Sequence, residues 1–136
     1  MRTELIEVST GTRETVLNLT PQCQKFVTDV AGGGEGLLHV FVPHATAGLA
    51  VLEVGAYSDT DLLAALRDLL PADNRWRHQH GSPGHGRTHV MPAFIAPFAT
   101  LPVVGGSIAL GTWQSIVLVD INPDNTHRNV RLSFLS

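Results

Sequence analysis

The chain has 136 residues, enough for one domain (1–136) with a sizeable core. Apolar residues make up 43% and charged residues only 15%, and the net charge is −3 with no basic run, which argues against a nucleic-acid partner. No apolar run reaches the roughly 20 residues that a membrane helix needs. The opening "MRTELIEVSTGTRE" is charged too early for a signal peptide. Cys23 is the only cysteine, so no intrachain disulfide can form. A cytoplasmic protein with no membrane partner is the expectation. The scarcity of charge also predicts buried contacts between subunits.

In chain order, "TELIEVS" and "RETVLNLT" alternate apolar and polar residues and predict two strands around a turn at Gly11. Thr20-Pro21 has the form of an N-cap followed by proline at the first helical position. The helix that follows places Cys23, Phe26, Val27 and Val30 on one face, and the glycines at 32–34 end it. "GLLHVFVPH", Gly36 to His44, is so continuously apolar that a strand covered on both faces is expected. "AGLAVLEVG" predicts the next strand, with Glu53 near its end. A second helix begins with Ser58 as cap and Asp59 and Asp61 in its first turn. Its buried stripe is read as Leu62, Leu63, Leu66, Leu69 and Leu70, and Pro71 ends it. Residues 72–88 read as a loop of unusual length, and such loops tend to carry function. "FATLPVV", "SIALGTWQSIVLVDI" and "RNVRLSFLS" predict the closing strands. Helices set apart from mostly antiparallel strands make an α+β sandwich.

Four of the seven histidines crowd into "WRHQHGSPGHGRTHV": His78, His80, His85 and His89. Imidazole is the commonest zinc ligand, and three histidines plus a water make an open catalytic site. His78 and His80 share a face if that stretch is extended. The alternative is a solvated loop. His44 ends an apolar strand at "PHATAG", where a side chain can face a cleft; a structural, hydrogen-bonded histidine is the other reading. His39 reads as a core or interface residue and His127 as a turn residue. Glu53 is the only charged residue in its strand and needs a partner there. It could support a ligating histidine, bind a metal or act as a base. In "GTWQ", Trp113 could stack on a ring and Gln114 could bond a substrate. Arg75, Arg77, Arg87, Arg128 and Arg131 could receive phosphate, although solvated arginines are the default.

With "HATAGLAVLE", two histidines before an apolar run, and "GTWQSI" in that order, the chain resembles the YjbQ family, some of whose members are described as secondary thiamine-phosphate synthases. The resemblance covers nearly the whole chain. It implies a two-sheet β-sandwich with two helices (β2-α-β2-α-β3) that packs as a homotrimer. His44, Thr46, Ala47 and Glu53 match the family's "H-x-[ST]-A…NE" stretch. His78 and His89 match its later histidines, and Gly111 to Gln114 match "GTWQ". The resemblance therefore implies a divalent metal, zinc first and magnesium as the alternative, held by His44, His78 and His89. Catalytic roles fall to Glu53 and His44, and substrate contacts to Thr46, Trp113, Gln114 and Arg128. The chain departs from the pattern at Leu52, Val54, Met91, Pro92 and Ala93, where the family has polar residues. A thiamine-phosphate synthase-like transferase with weak or altered activity is the first functional expectation. A non-catalytic trimer that binds a metal or small ligand is the second, and an interaction module with a polar loop the third. His80 and His85 are extra to the pattern and receive no role.

Overall fold

The computed structural model describes residues 1–136. Strands β1 (Arg2–Ser9) and β2 (Thr15–Asn18) lead into helix α1 (Thr20–Ala31), then β3 (Gly36–Phe41), β4 (Ala47–Leu52) and helix α2 (Ser58–Leu69). Two short 3-10 turns, His85–His89 and Met91–Ala93, precede β5 (Phe98–Val104), β6 (Ser107–Ile108), β7 (Ser115–Asp120) and β8 (His127–Leu135). The strands form two antiparallel sheets, ordered β1-β8-β3-β5-β6 and β2-β7-β4. This is the expected two-sheet α+β architecture, with the two-residue β6 as an extra strand after the second helix.

The main core lies between the sheets. Val8, Leu38, Val40, Val103, Val130 and Leu132 from the larger sheet meet Leu49, Ile116 and Leu118 from the smaller one, and Cys23, Phe26 and Val27 of α1 close it. Burial pushes the Cys23 thiol up to about 12, which removes it as a nucleophile. A second cluster covers the other face of the smaller sheet, where Leu66 and Leu70 of the α2 region and Met91 meet Val117, Val119 and Ile121. Strand β7 is therefore the one buried on both faces. Its run "IVLV" reads accordingly, with even and odd residues in different clusters.

Several local expectations shift. Strand β3 is not covered on both faces within the chain: Leu37 and Phe41 point outward and are 46% and 37% exposed. The caps also move by one residue. Leu19, not Thr20, precedes α1, and the Thr20 hydroxyl instead accepts the Ile116 N–H at 2.9 Å. Tyr57, in a left-handed conformation (φ 70°), precedes α2, and Ser58 is inside the helix. Leu69 faces solvent, because only Leu62, Leu63 and Leu66 and the following Leu70 reach the second cluster. The closing "SIALGTWQSIVLVDI" is not one strand, since a turn at 109–114 separates β6 from β7.

Candidate functional site

The polar residues gather at one end of the β4–β7 pair. Ala47 faces Asp120 there, while Leu52 faces Ser115 at the opposite end. Five residue steps separate the two ends, about 17 Å at strand rise. Arg128, at the start of β8, is buried beneath the first end. Its Nε donates to Asp120 Oδ2 at 2.7 Å, and Nη2 donates to Asp120 Oδ1 at 3.2 Å and to the Thr46 hydroxyl at 2.8 Å. Both partners of this ion pair are 2% exposed at the side chain. The turn after β7, "NPDN", wraps the pair. Asn122 Nδ2 donates to Thr46 Oγ1 at 3.1 Å and to Asn125 Oδ1 at 2.8 Å.

Above this floor the long segment between α2 and β5 folds back on itself. Trp76 Nε1 donates to the Pro71 carbonyl at 2.9 Å, and the Arg87 Nε donates to the Leu70 carbonyl at 2.6 Å. Arg87 Nη1 also donates to Glu14 at 2.9 Å, which ties the 3-10 turn to the segment before β2. Gly86 is needed for closure. A Cβ there would stand 2.5 Å from both the His78 carbonyl oxygen and Trp76 Cβ, so only glycine lets the two arms of the segment meet.

Closure brings four imidazoles together. His78, His80, His85 and His89 each offer a ring nitrogen, and these nitrogens all lie within 4.8 Å of one another. His78 stacks on His89 with centroids 3.9 Å apart, and His80 lies 4.4 Å from His78 and 4.5 Å from His85. The Nε2 atoms of His85 and His89 are 3.0 Å apart. Nitrogens around a four-coordinate zinc stand about 3.3 Å apart, from Zn–N distances of about 2.0–2.1 Å. The four histidines are thus compact enough, and of the right donor type, for such an ion. Asp124 reinforces the fit. Its Oδ2 lies 2.9 Å from His85 Nδ1 and accepts the Ser82 N–H and hydroxyl at 3.0 and 3.1 Å. A carboxylate facing Nδ1 directs the Nε2 lone pair toward a metal and raises its basicity. The Ser82 N–H, the Ser82 hydroxyl and His85 together hold the Asp124 carboxyl below its ordinary value. Burial, followed by the neighbouring His78, His85 and His80, lowers the pKa of His89, which favours the neutral, ligating form.

His44 is not one of the four. It stands on the wall of the adjoining cleft, and its Nε2 accepts the backbone N–H of Asn129 at 2.9 Å, which occupies that lone pair. Burial and then the Arg128 charge lower its pKa. The cleft measures about 330 Å³. It is bordered by His44, Thr46, Asn122, Asn125 and Arg128 on one side and by His80, His85 and His89 on the other. Thr46 and Arg128 therefore sit beside the histidines.

Glu53, Trp113 and Gln114 do not, because they lie beyond the opposite end of β4 and β7. Gln114 Oε1 accepts the Gly111 N–H at 2.8 Å and closes its own turn, and Trp113 is 73% exposed. His39 lies on the outer face of the larger sheet, where its Nδ1 meets the Thr100 hydroxyl at 2.8 Å. His127 opens β8 and is exposed.

Sequence reasoning passed over His80 and His85, which belong to the group as fully as His78 and His89, and it also passed over Asp124. Two signals pointed to them. His78 and His80 are two apart in extended chain, and "NPDN" follows a buried strand at the sheet end where "PHAT" begins.

An α+β sandwich carrying a clustered-histidine cleft at one end of its smaller sheet defines the class. The family model "UPF0047 protein YjbQ-like" matches residues 4–136, and the chain belongs to that family. The UPF0047 protein Rv2556c of Mycobacterium tuberculosis is 54% identical over 135 residues, covering 99% of this chain and 98% of that one. A UPF0047 protein of Methanothermobacter thermautotrophicus is 27% identical, over 96% of this chain and 90% of its own length. Among solved structures, a hypothetical protein from Aeropyrum pernix K1 superposes with a TM-score of 0.90 at 34% identity, covering 100% of this chain and 99% of that one. A YbjQ-like protein of unknown function from Sulfolobus solfataricus superposes with a TM-score of 0.91 at 24% identity, covering 99% and 96%, and shares the fold.

Proposed function

We propose that the protein is a divalent-metal-dependent enzyme that acts on a small phosphorylated or otherwise anionic molecule. Its ion, zinc first and magnesium as the alternative, would be held by His78, His80, His85 and His89. The observation that carries this reading is the convergence of four imidazole nitrogens at the rim of a polar cleft. A bound ion would supply a Lewis acid able to offset the charge of a diphosphate leaving group. The chain's own residues do the rest. Asp124 orients His85, Arg128 and Thr46 shape the floor of the cleft, and His44 faces the ligand from beside them, across the cleft from the histidines. Transfer of the pyrimidine group of a pyrimidine diphosphate to a thiazole phosphate with release of diphosphate, the reaction implied by the family resemblance, is the first activity to assay. Glu53 and Gln114 have no role in this reading within one chain.

A second reading is favoured by the donor set itself. Four histidines fill a tetrahedral ion and leave no open position, as in structural sites. The protein would then hold metal and ligand without turnover. Metal analysis together with single-turnover assays separates the two. One zinc per chain with product formed supports the enzyme. One zinc per chain with ligand bound and no product supports the binder. No ion under any loading condition ends both.

We also read the protein as a cytoplasmic homotrimer. Support for association comes from the outer face of the larger sheet, where Leu5, Leu37, Phe98 and Leu135 are 42–53% exposed. Leu37 lies directly opposite Leu135, and Phe41 opposite Phe98, so the face carries two apolar pairs with the polar row of His39, Thr100 and Ser133 between them. Light scattering gives the test: a monomeric mass at micromolar concentration overturns the trimer.

A further inference from the structure

We propose that one wall of the cleft beside the histidines is an oxyanion site of converging hydrogen-bond donors, in which His44 serves as a neutral Nδ1–H donor and not as a base or metal ligand. The inference deepens the reading of the cleft as a ligand site and names the chemistry of what it takes.

The Asp124 N–H donates to Asn122 Oδ1 at 3.0 Å, so the oxygen of that amide is committed and its nitrogen must donate. Asn122 Nδ2 donates to Asn125 Oδ1 and to Thr46 Oγ1. Asn125 is thereby fixed with its oxygen inward, which leaves its Nδ2 free. Thr46 Oγ1 accepts from Asn122 and also from Arg128 Nη2, so its own hydroxyl proton is free to donate. Arg128 spends Nε and Nη2 on Asp120 and Thr46. Its Nη1 has no protein acceptor and is not among the atoms sealed from solvent, so it opens where the residue borders the cleft. His44 follows the same rule. Its Nε2 accepts the Asn129 N–H, so the ring proton sits on Nδ1.

Four groups on one wall are thus left as donors: His44 Nδ1, Thr46 Oγ1, Asn125 Nδ2 and Arg128 Nη1. The one carboxylate bordering the cleft, Asp124, has Oδ2 committed to Ser82 and His85 and keeps Oδ1 as an acceptor, so anion binding falls to the donor wall away from it. On this wall, converging donors with no free amide or imidazole acceptor match the oxygens of a phosphoryl or carboxylate group, while the histidines opposite supply the lone pairs that suit a cation. Asp120 neutralises much of the Arg128 charge, so affinity depends on the neutral donors as much as on the guanidinium.

The test is titration of the full chain, metal-free and zinc-loaded, with inorganic phosphate and in parallel with acetate, followed by calorimetry or phosphorus NMR. Zinc content is measured separately on every sample. His44→Gln keeps an acceptor for the Asn129 N–H but places no donor at Nδ1, and His44→Asn does the reverse. Asn125→Asp lies on an exposed turn and still accepts from Asn122, but it turns the free donor into a charged acceptor. We expect phosphate to bind, His44→Gln and Asn125→Asp each to weaken it about tenfold or more, and His44→Asn to stay within about threefold of the parent. Zinc content is unchanged in all three. Acetate binding as tightly as phosphate assigns the site to carboxylates, and a preference for phosphate assigns it to phosphoryl groups. Absence of binding by either anion, or parental affinity in both His44→Gln and Asn125→Asp, overturns the proposal. Failure to bind zinc while phosphate binding and its variant pattern persist overturns the metal reading and leaves the oxyanion site standing.

Discussion

The two ends of the β4–β7 pair share strands, register and core, yet they carry different chemistry. At the Ala47–Asp120 end the buried polar groups of the floor meet partners: Arg128 with Asp120, and Thr46 with Asn122. At the Leu52–Ser115 end Glu53, Trp113 and Gln114 border turns, and the Gln114 amide does no more than close its own. The difference lies in what covers each end. The first is roofed by the segment from Pro71 to Ile95 and wrapped by the 122–125 turn, and exclusion of water makes each polar contact there consequential. The second has only short connections above it. A sheet end becomes a site when a long segment returns over it with polar side chains turned inward.

The sharpest break is expected at the buried ion pair. Arg128→Met leaves Asp120 without a countercharge and should cost about 3–5 kcal/mol of stability in urea denaturation. A loss under about 1 kcal/mol would mean that the floor of the cleft is wetter than its geometry implies. Next comes the metal. His85→Ala and His89→Ala should each weaken zinc binding on the order of 100-fold in competition with a chelating dye. Glu53→Gln and Gln114→Ala, at the other end, should leave it unchanged. Equal losses at both ends would dissolve the comparison. Asp124→Asn keeps the shape but removes the charge behind His85, and a drop of about 10- to 100-fold in zinc affinity is expected.

The smallest effect is on pH. His44 and His89 both titrate below the ordinary imidazole value in the folded chain, with burial the main cause. As pH falls through about 6.5 the unfolded chain takes up protons that the native state refuses. Stability of the metal-free protein should therefore be level above about pH 7 and decline below about 6.5. Thermal melts across that range read it, and His44→Gln should flatten part of the slope. A slope of opposite sign would show that these imidazoles are charged in the native state.

Much of the fold was legible because it rests on short-range pattern. The face of α1 with Cys23, Phe26 and Val27 is buried as its spacing requires, and Gly32 closes the helix in the left-handed conformation. Pattern misled where two explanations share one signature. The apolar run of β3 resembles that of β7, but only β7 has clusters on both sides within the chain. β3 keeps an exposed outer face of the kind that a partner subunit would cover.

The site was half legible. Composition alone marked the histidine segment, and Thr46 and Arg128 line the cleft beside it. The family resemblance implies His44 as a metal ligand, and no sequence spacing shows that the Asn129 N–H occupies its Nε2. Glu53 and Gln114 were drawn into the same site because motif order says nothing about which end of a strand a residue reaches. Alternation and helical spacing act over a few residues, so the sequence by itself determined the elements, the layers and the presence of a histidine-rich excursion. Which nitrogens meet was decided only in three dimensions. That meeting depends on contacts such as Arg87 with Glu14 and Ser82 with Asp124, which join residues 73 and 42 positions apart, and on Gly86 allowing two arms of one loop to touch. Metal and anion sites are built from such long-range contacts, and a local pattern does not encode them.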